Sequence, residues 1–424
     1  MCDVIGKAMA IEASMTRRGL LRNAGIATAA TTAGAGLLAG ETAASQRRGR
    51  SRGGENGTSR PASRNGAKNH RTRLVLLGTA GGPALLPGGE DRHGISSALV
   101  VDGAVYLVDC GLGFLRRYQQ AGIGPEGDGP FPSLLASLRA VFLTHMHSDH
   151  TVEYPALQLF SHLSGLNDPS RQVGIYGPGD RGVLPPVFGN RPAPPLVSPD
   201  DPTPGVEGMT GYIHQAFAAD LNDRIRDGGF TDPRRTFAPQ DIPLPAGAGD
   251  DPNGDPAPSV DPFPVFEDER VRVTATLVKH PPTFPSFGFR FDTDDGSVTF
   301  SGDTAPTPNL VKLARDTDVL VHEVIDEAWV RGLFGPGPHP PAIQAIIQHL
   351  LQSHTTIEQV GPIAEEAGAG KLVLTHLAPS NNPPQRWRRA RRGFSGRLLV
   401  GEDLMQVGVG TRARRAVQPR GGAR

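Results

Sequence analysis

The sequence predicts an α+β domain in which two β-sheets face each other and helices cover their outer sides. Three observations carry that expectation. Apolar runs of strand length crowd the start of the folded region, among them Leu74–Leu77, Ser96–Val101 and Val105–Asp109. Later runs, Val319–Val321 and Leu372–Leu374, each follow a helical segment, so strands come first in series and then in alternation with helices. Several short strands also end on a His or Asp, as they would if one sheet edge assembled a site from distant segments.

In chain order, Leu74–Leu77 is a strand and Gly78-Thr79-Ala80-Gly81-Gly82-Pro83 a tight turn. Ser96–Val101 and Val105–Asp109 read as a hairpin through Asp102-Gly103. Leu134–Leu138 is helix-like, Ala140–Leu143 is a strand, and Pro155–Leu163 carries Leu157, Phe160 and Leu163 at helical spacing. Val173–Tyr176 is another strand. Residues 190–262 form a Pro/Asp-rich insertion with a helix around Ile213–Ile225, expected either to cover the site or to run out into solvent. Val271–Val278 alternates as a strand, and Phe287–Phe291 with Val298–Ser301 forms a hairpin through Asp294-Asp295-Gly296.

Composition excludes some classes of function. The 43 basic and 43 acidic residues cancel, so no global polycationic signature for nucleic acid is present. Charge is unevenly spread: 46–73 is basic, 199–262 acidic, and the run Arg386–Arg392 basic, the last expected as a solvated helix face or tail. Two cysteines, Cys2 and Cys110, offer no disulfide framework, and Cys110 is expected as a small buried residue.

Residues 1–45 are expected to be a Tat-type export signal, because Arg17-Arg18 precedes a weakly apolar stretch, Ala24–Gly40, and the small residues Thr42-Ala43-Ala44. That stretch is too rich in Ala, Thr and Gly for stable membrane insertion. The leader implies the Tat machinery as a partner and an envelope or extracellular location. A disordered basic linker over 46–72, a folded domain over 73–410 and a basic tail over 411–424 complete the expected organisation.

The densest chemical signal is Thr144-His145-Met146-His147-Ser148-Asp149-His150, directly after Val141-Phe142-Leu143. Only 13 histidines occur in 424 residues, yet three sit in this loop beside a carboxylate. Imidazole and carboxylate suit zinc or a similar divalent ion, so the stretch points to a metallohydrolase. Three further strand ends follow: Val278-Lys279-His280, Phe300-Ser301-Gly302-Asp303-Thr304 and Val373-Leu374-Thr375-His376. Together with the first cluster, and in this order, they fit a binuclear site. His93 is placed to line a cleft, whereas His162, His214, His339 and His349 lack strand-end placement and are expected in surface or packing roles.

This ordered set resembles the metallo-β-lactamase superfamily, and more finely its tRNase Z-like branch, which also takes in arylsulfatase-like enzymes. The segments Leu77–Pro83, Lys279-His280 through Arg290, Ser301–Thr304, Val321-His322-Glu323 and Ser353-His354-Thr355-Thr356 are similar to that branch's motifs, over about residues 73–380. The resemblance implies a four-layer αββα sandwich in a single catalytic domain. It implies that His145, His147 and His280 hold one ion, that Asp149, His150 and His376 hold the other, and that Asp303 bridges both. Zinc is the expected metal, with manganese or iron accepted by the same ligands. It further implies that Asp149 orients the attacking hydroxide and that Glu323 holds His354 beside the metals, ready to protonate a leaving alkoxide.

From this reading the expected activity is hydrolysis of small phosphodiesters or aryl sulfate esters. A tRNA 3′-processing ribonuclease is the alternative, and a non-catalytic binding protein on the same fold the second. RNA is not the favoured partner, because the segment between Phe291 and Val298 is too short for an RNA-gripping arm and the insertion is acidic. A homodimer is compatible with the sequence.

Overall fold

In a computed structural model of the chain, residues 70–125, 132–188 and 192–410 are described, and all of them fall within one compact unit. The proposed leader (1–45), most of the basic linker (46–72) and the tail (411–424) lie outside the described residues.

Among the described residues, apolar and β-branched runs, most of them buried on both faces, form fourteen strands in two sheets of seven. The first sheet runs β14-β1-β2-β3-β4-β5-β6. Its strands are β1 (Thr72–Gly78), β2 (Ser96–Val101), β3 (Ala104–Val108), β4 (Leu138–Phe142), β5 (Val173–Gly177), β6 (Phe237–Asp241) and β14 (Gln406–Gly408). The second runs β13-β12-β11-β10-β9-β8-β7. It comprises β7 (Phe263–Glu267), β8 (Arg272–Leu277), β9 (Phe287–Thr293), β10 (Gly296–Phe300), β11 (Val319–Ile325), β12 (Lys371–Ala378) and β13 (Arg397–Val400).

Alternate residues of each strand divide the core into layers. Leu74, Leu76, Leu99 and Phe142 meet Val273, Phe289, Phe291 and Val298 between the sheets. Phe142 packs edge-on against Phe291, ring centroids 5.1 Å apart. On the far side of the first sheet, Val75, Leu77, Val105 and Leu107 pack against Phe114 and Tyr118 of the helix Phe114–Ala121. On the far side of the second, Leu320, Val324 and Leu372 pack against Ile357, Val360 and Ala364 of the helix Ile357–Glu366. The result is the αββα layering. Among the described residues no helix is long and apolar enough to cross a membrane.

Most expected elements are present. The β2–β3 hairpin turns through Asp102 (φ 48) and Gly103 (φ 80), the left-handed pair that a two-residue hairpin requires. The helix expected around Ile213–Ile225 is two helices, Val206–Ala216 and Ala218–Arg226, meeting at Phe217. Three points differ from expectation. Leu134–Leu138 is not a helix but a turn held by short-range bonds such as Ala136 N–H to Ser133 O, running straight into β4. The segment is too short to close a stable helical turn before the strand claims it. The 190–262 insertion is not merely a cover or a solvent excursion: its Phe237–Asp241 is the edge strand β6, parallel to β5, with Phe237 and Val206 buried in the outer core. Both outermost strands at this end of the sandwich carry a proline, Pro239 in β6 and Pro264 in β7. Finally, the Arg386–Arg392 run is partly structural: Arg386 forks onto Asp326 with two contacts of 2.6 Å, and Arg389 pairs with Glu358. Cys110 is fully buried, as expected.

Candidate metal centre

The loops leaving β4, β8 and β10, together with a bulge inside β12, bring together all seven residues expected as ligands. His145 and His147 leave β4 on an extended loop, and His147 precedes the one-turn helix Ser148–Thr151, which carries Asp149 and His150. His280 follows β8, Asp303 follows β10, and His376 lies within β12 at a bulge, with φ 43. That left-handed backbone costs strain in a non-glycine residue and turns the ring out of the strand's alternation. The turn after β1 passes so close that a Cβ on Gly81 would lie 2.7 Å from His376 Nδ1, so glycine is required there.

Two groups of ligand atoms result. In the first, His147 Nδ1 lies 3.1 Å from His145 Nε2 and 3.2 Å from His280 Nε2. Two nitrogens bound tetrahedrally at zinc distances stand about 3.3 Å apart, close to these spacings. The tautomers agree with a cation in that position. His280 Nδ1 lies 2.8 Å from the Ser353 carbonyl, which only accepts, so Nδ1 carries the proton and Nε2 presents a lone pair. His147 Nε2 meets the Thr283 hydroxyl at 2.9 Å and His145 Nδ1 the Thr144 hydroxyl at 3.1 Å. Burial and the neighbouring imidazoles hold His145 and His147 well below the ordinary histidine range and His280 at about 3, so all three are neutral donors.

The second group joins Asp149, His150, Asp303 and His376. Asp149 Oδ2 lies 3.3 Å from His376 Nε2 and 3.7 Å from His150 Nε2. Asp303 Oδ2 stands between the groups: 3.2 Å from His376 Nε2, 3.4 Å from His150 Nε2, and 3.9 Å from both His145 Nε2 and His280 Nε2. A single oxygen facing four imidazole nitrogens has the placement of a bridging ligand. Here burial would depress the histidines, but Asp303, Asp109 and Asp149 together outweigh it and raise His150, and Asp303 and Asp149 likewise raise His376.

Asp109 was not singled out by the sequence reading. It directly follows β3 with φ 61, is buried, and accepts from Thr144 N–H and from His150 Nδ1, at 2.8 and 2.9 Å. It therefore fixes His150 with Nε2 toward the cluster, the service an outer carboxylate renders a metal-binding histidine. The signal was present in Leu107-Val108-Asp109, a strand ending on an acidic residue like the others.

Glu323 and His354 adjoin both groups. His354 Nδ1 is 3.0 Å from Glu323 Oε1 and 4.0 Å from Asp303 Oδ2. The same Oε1 accepts from the Thr304 and Thr355 backbone N–H groups, at 2.9 and 3.2 Å. Burial and the Asp303 charge push Glu323 up while those donors pull it down, and burial brings His354 to about 4. The pair is thus placed to share a proton beside the cluster.

A cleft of about 670 Å³ opens beside Ser148 and Asp149. Its walls are largely apolar, from Pro83, Leu85 and Leu86 of the loop after β1 and from Leu112 and Val152. His93 lines it, as expected, held by Asp403 at 3.1 Å. The other histidines outside the cluster pack: His162 lies on Phe230 and His214 bonds Gln158.

Two adjoining sets of metal donors at strand ends, between the sheets of an αββα sandwich, define a metal-dependent hydrolase. The comparisons with known proteins agree. A family model described as a beta-lactamase superfamily domain matches residues 251–377. A ribonuclease Z from Mycobacterium bovis BCG is 30% identical over 340 residues, covering 79% of this chain and 98% of the relative. A ribonuclease Z from Mycobacterium marinum is 29% identical over 342 residues, covering 80% and 99%. The chain belongs to the metallo-β-lactamase superfamily, in its ribonuclease Z-like branch. Among solved structures, the short form of human tRNase Z aligns with a TM-score of 0.49 at 18% identity, covering 80% of this chain and 100% of that one, a likeness too loose to bear on chemistry.

Proposed function

We propose that this chain is a dinuclear hydrolase of phosphodiester bonds, with RNA as its substrate class. The observation that carries the hydrolytic reading is Asp303 Oδ2, one oxygen set between two groups of metal donors. The RNA reading is supported by relatives named ribonuclease Z that match over nearly their whole length, and it displaces the small ester as first choice.

His145, His147 and His280 would hold one divalent ion, Asp149, His150 and His376 the other, with Asp303 shared; the donor set suits zinc and accepts manganese or iron. When bound, such ions would lower the pKa of an attacking water and neutralise charge on the attacked phosphorus centre. The chain's own residues supply the rest. Asp149, at the mouth of the cleft, orients the nucleophile. Glu323 anchors His354 through Nδ1, and the imidazolium formed when the pair's proton crosses that bond protonates the departing oxygen.

A second reading, hydrolysis of small aryl phosphate or sulfate esters, is favoured by the apolar cleft beside Asp149 and by the short β9–β10 hairpin, which leaves no room there for an RNA-gripping arm. Rates on a precursor tRNA, bis(p-nitrophenyl) phosphate and p-nitrophenyl sulfate, with and without chelator, decide between them. Metal-dependent tRNA cleavage far faster than either ester supports the first reading. The reverse order supports the second, and no turnover of any of them refutes both in favour of a binding protein. From the twin-arginine leader we also propose export by the Tat route, tested by fractionation of cells with Arg17 and Arg18 intact or replaced by Lys.

A further inference from the structure

On the core side of the metal donors lies a cavity of about 20 Å³, bordered by Asp303, Glu323, Thr375 and Val321 among others. One water needs roughly 10–15 Å³ of such space and two to four polar partners, so the cavity has room for one. Three of its bordering residues present a buried side-chain oxygen with no hydrogen-bond partner among the described residues: Asp303 Oδ1, Glu323 Oε2 and Thr375 Oγ1. Leaving such atoms bare in a protein interior is costly, and three beside one cavity call for a common partner.

The strand register explains how they meet. Glu323 of β11 and Thr375 of β12 are direct partners in a parallel pair, so their side chains leave the same face of the sheet. The bulge just after them diverts His376 toward the metal donors without disturbing that pairing.

We propose that a single buried water is bound here, donating to Asp303 Oδ1 and Glu323 Oε2 and accepting from the Thr375 hydroxyl. The count closes: two carboxylate oxygens take its two hydrogens, and the Thr375 hydroxyl, otherwise unpartnered among the described residues, fills a lone pair. Glu323 then has one oxygen on His354 and the other, through the water, on the aspartate that faces both groups of ligands. Thr375 is outside the groups of metal-donor residues, so it is a positioning residue, acting through the water on the carboxylate that holds His354. The functional half of this inference rests on the reading of Glu323 and His354 as the acid pair; the water site itself does not.

The test uses the metal-loaded protein and two readouts. A high-resolution crystal structure should show one ordered water within hydrogen-bonding distance of the three oxygens, and Thr375→Val should lose it. Kinetically, Thr375→Val should lower kcat about tenfold for esters with poor leaving groups, the scale of one lost buried hydrogen bond. KM, metal content and turnover of activated aryl esters should hold, and Thr375→Ser should restore the loss. No water in the wild-type cavity overturns the proposal. A water that is present while Thr375→Val matches wild type for every leaving group overturns the positioning role. Should the valine variant fail to fold, the wild-type density and the leaving-group profile of Thr375→Ala decide in its place. If the water is seen but no ester is hydrolysed, the proposed function fails and the water site stands.

Discussion

His145, His147 and His280 form one half of the cluster, and Asp149, His150 and His376 the other; different chemistry holds each in place. The imidazole half is backed by neutral groups, the Thr144 and Thr283 hydroxyls and the Ser353 carbonyl. The carboxylate half is backed by an ion, Asp109 against His150 Nδ1. Imidazoles whose burial and imidazole neighbours outweigh a more distant carboxylate lose their protons and stay ready for a cation. Imidazoles ringed by carboxylates keep theirs until a cation displaces them. The first half is therefore prepared by desolvation and the second by charge. Among the described residues, Asp303 is the carboxylate set between the two halves.

Removing that shared group should break the comparison altogether. Asp303→Ala is expected to lose both ions and more than about 10³-fold in turnover, beyond the 10–100-fold typical of an outer partner. Retention of one ion, measured by metal analysis, would show that a half stands alone. Next in size, His354→Ala should keep both ions yet lose about 10²–10⁴ in kcat for poor leaving groups, with activated aryl esters suffering less. A fall in metal content matching Asp303→Ala would make His354 a ligand instead.

Outer partners sharpen the contrast. Asp109→Asn should weaken metal binding in the carboxylate half by about 10–100-fold and leave the imidazole half intact. Thr283→Val removes only a neutral hydroxyl from His147 and should cost less than Asp109→Asn in a parallel metal titration. The smallest effect concerns pH. His150 and His376 are raised in the metal-free protein, and a raised group holds its proton to higher pH, so acidification sets protons against the cation in their half first. His280, depressed to about 3, competes only in far stronger acid. Dialysis in metal buffer from about pH 7.5 to about pH 5 should take the stoichiometry from two to one before zero; a single step to zero would erase the distinction.

The candidate ligands were legible because they lie at or just beyond short apolar runs, a pattern that survives without knowledge of pairing. Their supports were not. Asp109 lies 41 positions before the His150 it anchors, and only the parallel pairing of β3 with β4 sets them together. The Ser353 carbonyl that fixes His280 is backbone, on which side-chain identity is silent. The αββα layering followed from strand order and the family resemblance. Strand β6 was hidden by its Pro-rich surroundings, and its pairing with β5 is a long-range event that local propensity does not encode. At Leu134–Leu138 helical spacing was present, but the chain needed to nucleate a helix was not.

The prolines at the rims of the two sheets bear on how the molecule keeps to itself. An unpaired outer strand is a template on which another chain can add, and a proline removes one of the donors that such addition uses. With Pro239 on one rim and Pro264 on the other, that end of the sandwich resists ladder growth from both sheets. Deleting residues 190–262 as dispensable would strip Pro239 together with its strand, bare the hydrogen-bonding edge of β5, and invite the self-association that the rim discourages.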